Sequence, residues 1–375
     1  MFTTALRNGL TRTYELLAGL LMLSFLAGCS VALDKTILMP QASIPDARKV
    51  TVAVLPFEHV APEPEPEEGR KPKPKEKEPD NPKLKEFERQ YFPARLAQSL
   101  RQSPWVKEAY VTPGVTPAVD FVVRGDVTES DGEITGITFT LARCCWTDVF
   151  TKEFRIDLDS GEFKESKDPA QALWNSVANT FGRYFDGVTA EDISKLASGR
   201  TAMYSQQPDG SINLTPKSSA TIAKAAQWER ENLLARISAM ALSFESEVTP
   251  TYIKWQEKVT KIAEEKRMKD LKAGLSTLMA VASMGGGIYS ATRGMGAVAG
   301  AMGLVAGANI VNAMRANDES KALDAAMKNM TNVFAVSLEP QTLELEGRVY
   351  KLTGDARSQM TQVKEIVRQV ILAQN

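Results

Sequence analysis

A cysteine at the end of an apolar run is the residue whose position indicates chemistry most clearly in this chain. The tetrapeptide Leu26-Ala27-Gly28-Cys29 closes an apolar stretch that begins at residue 16, and two arginines precede that stretch. A basic start, an apolar segment of this length and small residues before a cut are typical of a secretory signal and not of a membrane-spanning helix. Cleavage after residue 28 would leave Cys29 as the amino terminus, with its thiol exposed to modification.

The same tetrapeptide resembles the lipobox of bacterial lipoproteins, which carry a diacylglyceryl group on the cysteine sulfur. The resemblance implies a signal peptide over residues 1–28, a lipid anchor on Cys29 and a tether over residues 29–47. Ser30 follows the cysteine, and lipoproteins without aspartate at that position are usually forwarded to the outer membrane of Gram-negative bacteria. We therefore expect a lipid-anchored outer-membrane protein that lies mostly in the periplasm.

The composition narrows the classes of partner. The 375-residue chain has 45 basic and 46 acidic residues, a formal net charge of −1. Nucleic-acid-binding proteins usually carry a basic excess, so we expect no nucleic-acid partner. The length exceeds a usual single domain of about 100–150 residues, which predicts two or three cores.

The histidine content argues against several kinds of catalysis. His59 is the only histidine, whereas most zinc sites, Ser-His-Asp triads and Cys-His pairs need an imidazole beside other correctly placed groups. We interpret His59 as an ordinary surface residue at a strand end, and we expect no metal site and no cofactor. Carboxylates are numerous, but no spacing selects a pair for hydrolysis. The sequence favours a non-enzymatic protein.

Two adjacent cysteines, Cys144 and Cys145, lie in a segment that alternates like a strand. Neighbouring side chains on a strand point to opposite faces, so we expect no disulfide between these two residues. An oxidising periplasm would still permit a bridge to another chain.

Residues 48–199 are predicted to form one mixed αβ domain. A β-branched strand begins at Lys49 and ends before Pro56, and Pro93 is expected to start a short helix that ends near Gln102. Between these elements, residues 61–86 are so rich in proline and charge that we predict a solvated, polyproline-like insert. Four further stretches alternate at period two, as strands do. They begin at Trp105, Val119, Ile134 and Val149.

A second helix of this domain has a clear start signal. Asp168 is expected to cap it, Pro169 to lie in its first turn and Gln171 to complete a capping box. Its apolar residues recur at helical spacing and should be buried. They are Leu173, Trp174, Val177, Ala178, Phe181 and Phe185.

The order of these elements, with AVLPF near the mature start and VDFVVRGDV leading into a meander, resembles a known periplasmic domain. Curli-secretion channel lipoproteins, the TolB amino-terminal domain and the penicillin-binding-protein activator lipoproteins share it. The resemblance covers about residues 48 to 186 and implies an assembly or regulatory role with other envelope components. The charged insert and the absence of long alternating hairpins depart from the channel-forming members.

The second half of the chain is predicted to be largely helical. After a linker over residues 200–216, residues 217–272 indicate long helices arranged as a hairpin or a stalk. An apolar stripe marks the first of them. It comprises Ala225, Trp228, Leu233 and Ile237.

Residues 273–314 contain one formal charge and a glycine repeat. The repeat is spaced 4-3-4, which places small residues on one helix face and permits close approach of a second backbone. It comprises Gly296, Gly300, Gly303 and Gly307. Two interpretations stay open: a helical hairpin that enters a membrane and pairs between copies, or a hairpin packed inside a water-soluble helical domain.

A small αβ unit is expected over residues 315–375. It should contain a helix over 318–335, two strands that turn at Glu346-Gly347, and a final helix. The inward face of that final helix is apolar. It comprises Met360, Val363, Val367 and Val370. This strand pair and helix resemble pieces of the small BON envelope domain.

Together these features predict an α+β protein: an amino-terminal mixed αβ sandwich, a long-helix and glycine-rich hairpin region, and a small αβ carboxy-terminal unit. The expected role is that of a non-enzymatic scaffold or regulator of a cell-envelope complex, with self-association and envelope proteins as partners. Two alternatives stand beside it, an oligomeric export or pore component and a periplasmic cell-wall enzyme.

Overall fold

The structure is a computed structural model that describes residues 33–60, 82–143, 147–166, 168–195, 215–283 and 337–374. Several predicted features lie outside these residues. They are the signal peptide 1–28, Cys29, Cys144, Cys145, most of the linker 200–216, the glycine-rich segment from residue 284 to 314 and the helix 318–335.

A mixed sheet of six strands forms the centre of the described amino-terminal part. The strands are β1 (Val50–Val54), β2 (Glu58–His59), β3 (Val106–Val111), β4 (Phe121–Ser130), β5 (Ile134–Arg143) and β6 (Thr147–Asp157). Their order is β3-β1-β4-β5-β6, with β2 beside β4. The pairs that involve β1 and β2 are parallel, whereas β4, β5 and β6 form an antiparallel meander. The predicted strands and α+β class are therefore confirmed.

Five helices and a strand pair complete the described fold. They are α1 (Pro82–Gln102), α2 (Gln171–Asp186), α3 (Pro216–Trp228), α4 (Ala235–Ser283), β7 (Gln341–Leu345), β8 (Arg348–Leu352) and α5 (Ala356–Leu372). Short 3₁₀ turns at Asp46–Arg48 and Ser160–Ser166 precede β1 and α2.

Helix α1 corrects two expectations. It begins at Pro82, so residues 82–86 of the predicted insert are helical, and Pro93 lies inside the helix instead of starting it. Proline has no N–H to donate to the carbonyl four residues earlier. Here that carbonyl, of Arg89, accepts a hydrogen bond from the backbone N–H of Phe57 at 3.2 Å. The loop after β1 thus supplies the donor that Pro93 lacks.

The main core lies between the sheet and helices α1 and α2. Phe57 packs edge-on against Phe139 of β5, and Phe92 of α1 lies against Trp174 of α2, with ring centroids 5.5 and 5.4 Å apart. All six apolar residues predicted for the inner face of α2 are buried. Alternation on β5 is also confirmed, because Ile137 and Leu141 share the buried face with Phe139.

Helices α3 and α4 are joined without a break by a π-helical segment, Glu229–Leu234. Of the two arrangements predicted for residues 217–272, the hairpin is therefore wrong and the continuous helix fits the stalk, with Pro250 inside α4. The reason is that one apolar stripe continues on both sides of the proline and packs on the domain. Its buried members in α4 include Ile237, Ala241, Val248, Tyr252, Trp255 and Val259.

The carboxy-terminal strands and helix form a second, smaller core. Val363, Val367 and Val370 of α5 pack with β7, β8 and the start of α3, as predicted for that helix face. Met360 packs instead against a cluster that includes Ala53 and Val122 of the large sheet. The turn at Glu346-Gly347 is also confirmed, since both residues have positive φ, 50° and 73°.

Candidate functional site beneath the long helix

Helix α4 lies across α1, and aromatic side chains fill the contact. Tyr252 of α4 packs on Phe87 and Tyr91 of α1, with ring centroids 5.4 and 4.8 Å apart. Phe244 meets Phe87 edge-on at 5.9 Å. This apolar layer encloses two clusters of polar side chains, which we name the arginine cluster and the histidine cluster.

The arginine cluster consists of Arg95, Asp168 and Glu245. The Nη1 atom of Arg95 donates to Oε1 of Glu245 at 2.7 Å, and its Nη2 atom donates to Oδ2 of Asp168. Arg95 comes from α1, Asp168 from the turn before α2, and Glu245 from α4. One guanidinium therefore links three elements that are far apart in the sequence.

Two neighbouring side chains extend the arginine cluster. Gln171 accepts from Nη2 of Arg95 at 2.6 Å, and the hydroxyl of Thr249 donates to Oε1 of Glu245 at 2.8 Å. Gln171 does not complete the predicted capping box, because its side chain is used here. The expectation that Asp168 caps α2 and that Pro169 lies in its first turn is also wrong, because the helix begins at Gln171, directly after Ala170. Asp168 belongs to the turn before the helix, where its Oδ1 atom accepts from the N–H of Ala170 at 2.9 Å.

Burial dominates the electrostatics of the arginine cluster. Burial raises the pKa of Asp168, and the Arg95 guanidinium opposes that rise. For Arg95, burial favours the neutral form, but Asp168, Tyr91 and Glu245 together raise its pKa. Buried ion pairs cost desolvation and are strongly destabilising when one partner is lost. The arrangement therefore favours a single relative position of α1, α2 and α4.

The histidine cluster consists of His59, Glu88, Ser130 and Tyr252. The Glu88 side chain is 0% exposed, and its Oε1 atom accepts from the hydroxyls of Ser130 and Tyr252 at 2.7 and 2.8 Å. Nε2 of His59 lies 3.2 Å from its Oε2 atom. Burial, and then the charge of Glu88, raise the pKa of Tyr252 well above its usual range.

The structure corrects the expectation that His59 is an ordinary surface residue. It does lie at the end of β2, but its side chain is only 14% exposed and faces Glu88. The sequence could not indicate this, because Glu88 lies beyond the charged insert and Tyr252 lies in the second half of the chain. Packing of α1 against the sheet brings Glu88 to His59 and Ser130, and packing of α4 over α1 adds Tyr252.

The two clusters repeat one spacing on two antiparallel helices. Glu88 and Arg95 are seven residues apart on α1, and their partners Tyr252 and Glu245 are seven residues apart on α4. Seven residues make about two helical turns, so each pair lies on one helix face. Between them, the hydroxyls of Tyr91 and Thr249 are 3.1 Å apart. This matched spacing of polar residues is the signal that sequence analysis missed.

A small cavity is lined by residues from both clusters. Its volume is about 10 Å³, and Asp168, Tyr252 and Gln256 are among its lining residues. A cavity of roughly this volume holds at most one water molecule. Oε1 of Gln256 is buried and makes no hydrogen bond within the described part of the chain. Chemically, the site joins helices and offers a place for one buried water.

The residues predicted to act as sites from the sequence are not part of these clusters. Cys29 and the glycines Gly296, Gly300, Gly303 and Gly307 all lie outside the described residues. Within the described ranges, no three His, Cys, Asp or Glu side chains are grouped to hold a metal ion. In those same ranges no helix combines the length and apolar character required to cross a membrane.

Comparison with known proteins finds no protein-family model that matches this chain and no similar curated protein.

Proposed function

We propose that this protein is an outer-membrane-anchored periplasmic lipoprotein that acts, without catalysing a reaction, as a scaffold or regulator of a cell-envelope complex. The single observation that carries the proposal is the two-cluster junction between α1 and α4. It ties the αβ domain to a long helix that leads directly towards the glycine-rich segment. A scaffold needs such a defined connection between its binding parts.

The length of α4 supports this role. Arg267 of α4 pairs with Glu133 at the β4–β5 turn, and the helix continues to Ser283. Sixteen further residues add about 24 Å of helix beyond Arg267. The glycine-rich segment thus begins within α4 at residue 273, past the contact of this helix with the β4–β5 turn. We propose that this segment meets another copy of the chain, a membrane or an envelope protein.

Three features of the chain, the lipobox, the glycine repeat and the αβ domain, support the expected partners. The lipobox resemblance supports a membrane partner, through a diacylglyceryl group on Cys29. The 4-3-4 glycine spacing supports self-association, because small residues permit close contact between helix backbones. The resemblance of the αβ domain to periplasmic domains that bind other envelope components supports protein partners.

Cross-linking in cells, followed by identification of the attached proteins, tests the scaffold role. We expect defined envelope proteins to be attached in the native protein and lost when Arg95→Met loosens the junction. Replacing Cys29 with serine should abolish lipid attachment and release the protein from outer-membrane fractions. Unchanged lipid incorporation and fractionation of Cys29→Ser would contradict the proposed location.

The glycine repeat also favours a second candidate function, an oligomeric export or pore component. In that case residues 273–314 would cross the outer membrane. Purified protein would then increase the conductance of a planar bilayer, and Gly300→Leu would abolish the increase. A scaffold would leave the conductance unchanged.

A further inference from the structure

The segment that follows the predicted lipid anchor is bound along helix α2. The N–H of Asp34 donates to the hydroxyl of Ser176 at 2.5 Å. The carbonyl of Lys35 accepts from Nδ2 of Asn175 at 2.7 Å. We call residues 34–38, with these contacts, the clip.

Asn179 binds the clip most specifically. Its Oδ1 atom accepts from the N–H of Leu38, and its Nδ2 atom donates to the carbonyl of Thr36, both at 2.8 Å. One amide side chain thus satisfies a donor and an acceptor of the same extended backbone, as a neighbouring strand would. Asn179 is itself 1% exposed, so its position is determined by the core.

Further contacts continue along the same helix. Arg183 pairs with Asp34 at 3.4 Å, and Arg48 donates to the carbonyl of Asp186 at 2.7 Å. Residues 34–38 therefore contact the middle of α2, and Arg48 contacts its end. Residues 34–38 of the tether predicted over residues 29–47 are thus bound to the domain.

The clip limits how far the domain can lie from its anchor. Asp34 follows Cys29 by five residues, which span at most about 17 Å of extended chain. If the clip were released back to Val50 in β1, 21 residues could span about 70 Å. With the clip bound, the domain would be held near the membrane, whereas with the clip released it could reach far into the periplasm.

We propose that the clip seats the αβ domain against the phospholipid bilayer, with the surface formed by Lys35, Met39 and Arg183 facing the lipid. This inference rests on the proposed function, because it requires lipid on Cys29. Met39 is 74% exposed and is an apolar side chain suited to the acyl boundary. Lys35, four residues before Met39 in the same segment, is exposed, and so is Arg183, which pairs with Asp34 of that segment. Both suit anionic headgroups, since long basic side chains extend to the membrane interface.

The test uses the full-length lipidated protein in vesicles of phosphatidylethanolamine and phosphatidylglycerol. A photoreactive amino acid replaces Met39 in one sample and Val349 in another. Val349 is a matched control, since it is 69% exposed but belongs to β8 of the small unit. We expect lipid adducts in the sample labelled at position 39 and none in the sample labelled at position 349. Equal adducts at both positions would overturn the proposed orientation.

A second variant tests the clip without altering α2. Asp34→Pro combined with Leu38→Pro removes the two backbone donors of the clip, and Ala42→Pro is the control within the same segment. We expect the double variant to lose lipid adducts at position 39, whereas the control keeps them. Unchanged adducts in the double variant would overturn the role of the clip.

Amide hydrogen exchange separates this inference from the proposed function. In the native protein the amides of Asp34 and Leu38 should be protected, and in the double variant neighbouring amides of the segment should lose protection. Unprotected Asp34 and Leu38 amides in a protein that does carry lipid on Cys29 would overturn the clip alone. Absence of lipid mass on Cys29, with those amides still protected, would overturn the proposed function and leave the clip as a bound segment.

Discussion

The imidazole of His59 lies 3.2 Å from the carboxylate of Glu88, a side chain that is 0% exposed. These residues come from opposite sides of the charged insert, and the hydroxyl of Tyr252 reaches the same carboxylate from the long helix. A buried carboxylate is costly unless several groups bond to it. The stability of this contact therefore depends on α4 remaining in place.

Removing one donor of the histidine cluster should weaken the attachment of α4. Tyr252→Phe leaves Oε1 of Glu88 with the Ser130 hydroxyl but without the Tyr252 hydroxyl, so we expect a loss of about 1–3 kcal/mol in unfolding free energy. A urea titration monitored by circular dichroism measures this change in unfolding free energy. Tyr350→Phe, at a half-buried position of the small unit, should change stability by less. Equal effects of the two changes would contradict the role assigned to Tyr252.

The arginine cluster should be more sensitive than a surface ion pair. Arg95→Met leaves Asp168 and Glu245 without their cation, and breaking a buried pair costs about 3–5 kcal/mol. Arg236→Met removes an exposed pair with Glu339 and should cost about 0–1 kcal/mol. Hydrogen exchange should show that α4 loses protection before the β4–β5 strands do. Simultaneous loss in both regions would show that α4 and the sheet unfold as one unit.

The last helix carries an acid-sensitive cap. Asp355 accepts from the N–H of Ser358 at 2.7 Å. Hydrogen bonding from the side chain of Ser358, and then from this N–H, lowers the pKa of Asp355. Because the folded pKa lies below the unfolded value, the stabilisation is present above the unfolded pKa and is lost as pH falls through the folded pKa. Asp355→Ala should cost about 1 kcal/mol near neutral pH.

Thermal melts across the acidic range measure this pH dependence. The difference in melting temperature between the native protein and Asp355→Ala should shrink as the pH falls. Asp355→Asn should keep a cap that does not titrate. If the difference in melting temperature between the native protein and Asp355→Ala stayed constant down to the lowest pH, Asp355 would be excluded as the titrating group.

A glycine in α2 should resist replacement even though alanine is the better helix former. A Cβ atom at Gly182 would lie 2.8 Å from the Trp105 ring, so Gly182→Ala must displace the indole. Overpacking of this kind costs about 1–3 kcal/mol, which offsets the gain of about 1 kcal/mol from helix propensity. At Gly187, at the end of the same helix, the nearest atom would be at 3.5 Å. Melting temperatures should therefore fall for Gly182→Ala and stay nearly constant for Gly187→Ala.

The glycine repeat can be tested although it lies outside the described residues. Replacing Gly300 and Gly303 with leucine should disrupt self-association, because close backbone packing tolerates few extra methylenes. The same replacement at Ala297 and Met302, off the predicted face, should have little effect. Sedimentation of both double variants measures the outcome, and identical assembly would mean that the repeat has no packing role.

The sequence by itself determined the elements that rest on local patterns. Alternation at period two identified β4, β5 and β6, because neighbouring side chains on a strand face opposite sides. The helical spacing of Leu173, Trp174 and Val177 identified the buried face of α2. The turn at Glu346-Gly347 followed from its residue types, since glycine readily adopts positive φ.

Only the tertiary structure decided the features that join distant segments. Pro93 was expected to start a helix, but α1 runs through it because Phe57, distant in sequence, bonds the carbonyl that Pro93 leaves unpaired. His59 was expected at the surface, but its imidazole faces Glu88 of α1, and Tyr252 of α4 donates to the same carboxylate. Residues 29–47 were predicted to be a tether, yet Asn179 of α2 binds the backbone at residues 36 and 38. Each of these depends on a contact between residues at least 29 positions apart, which local spacing does not encode.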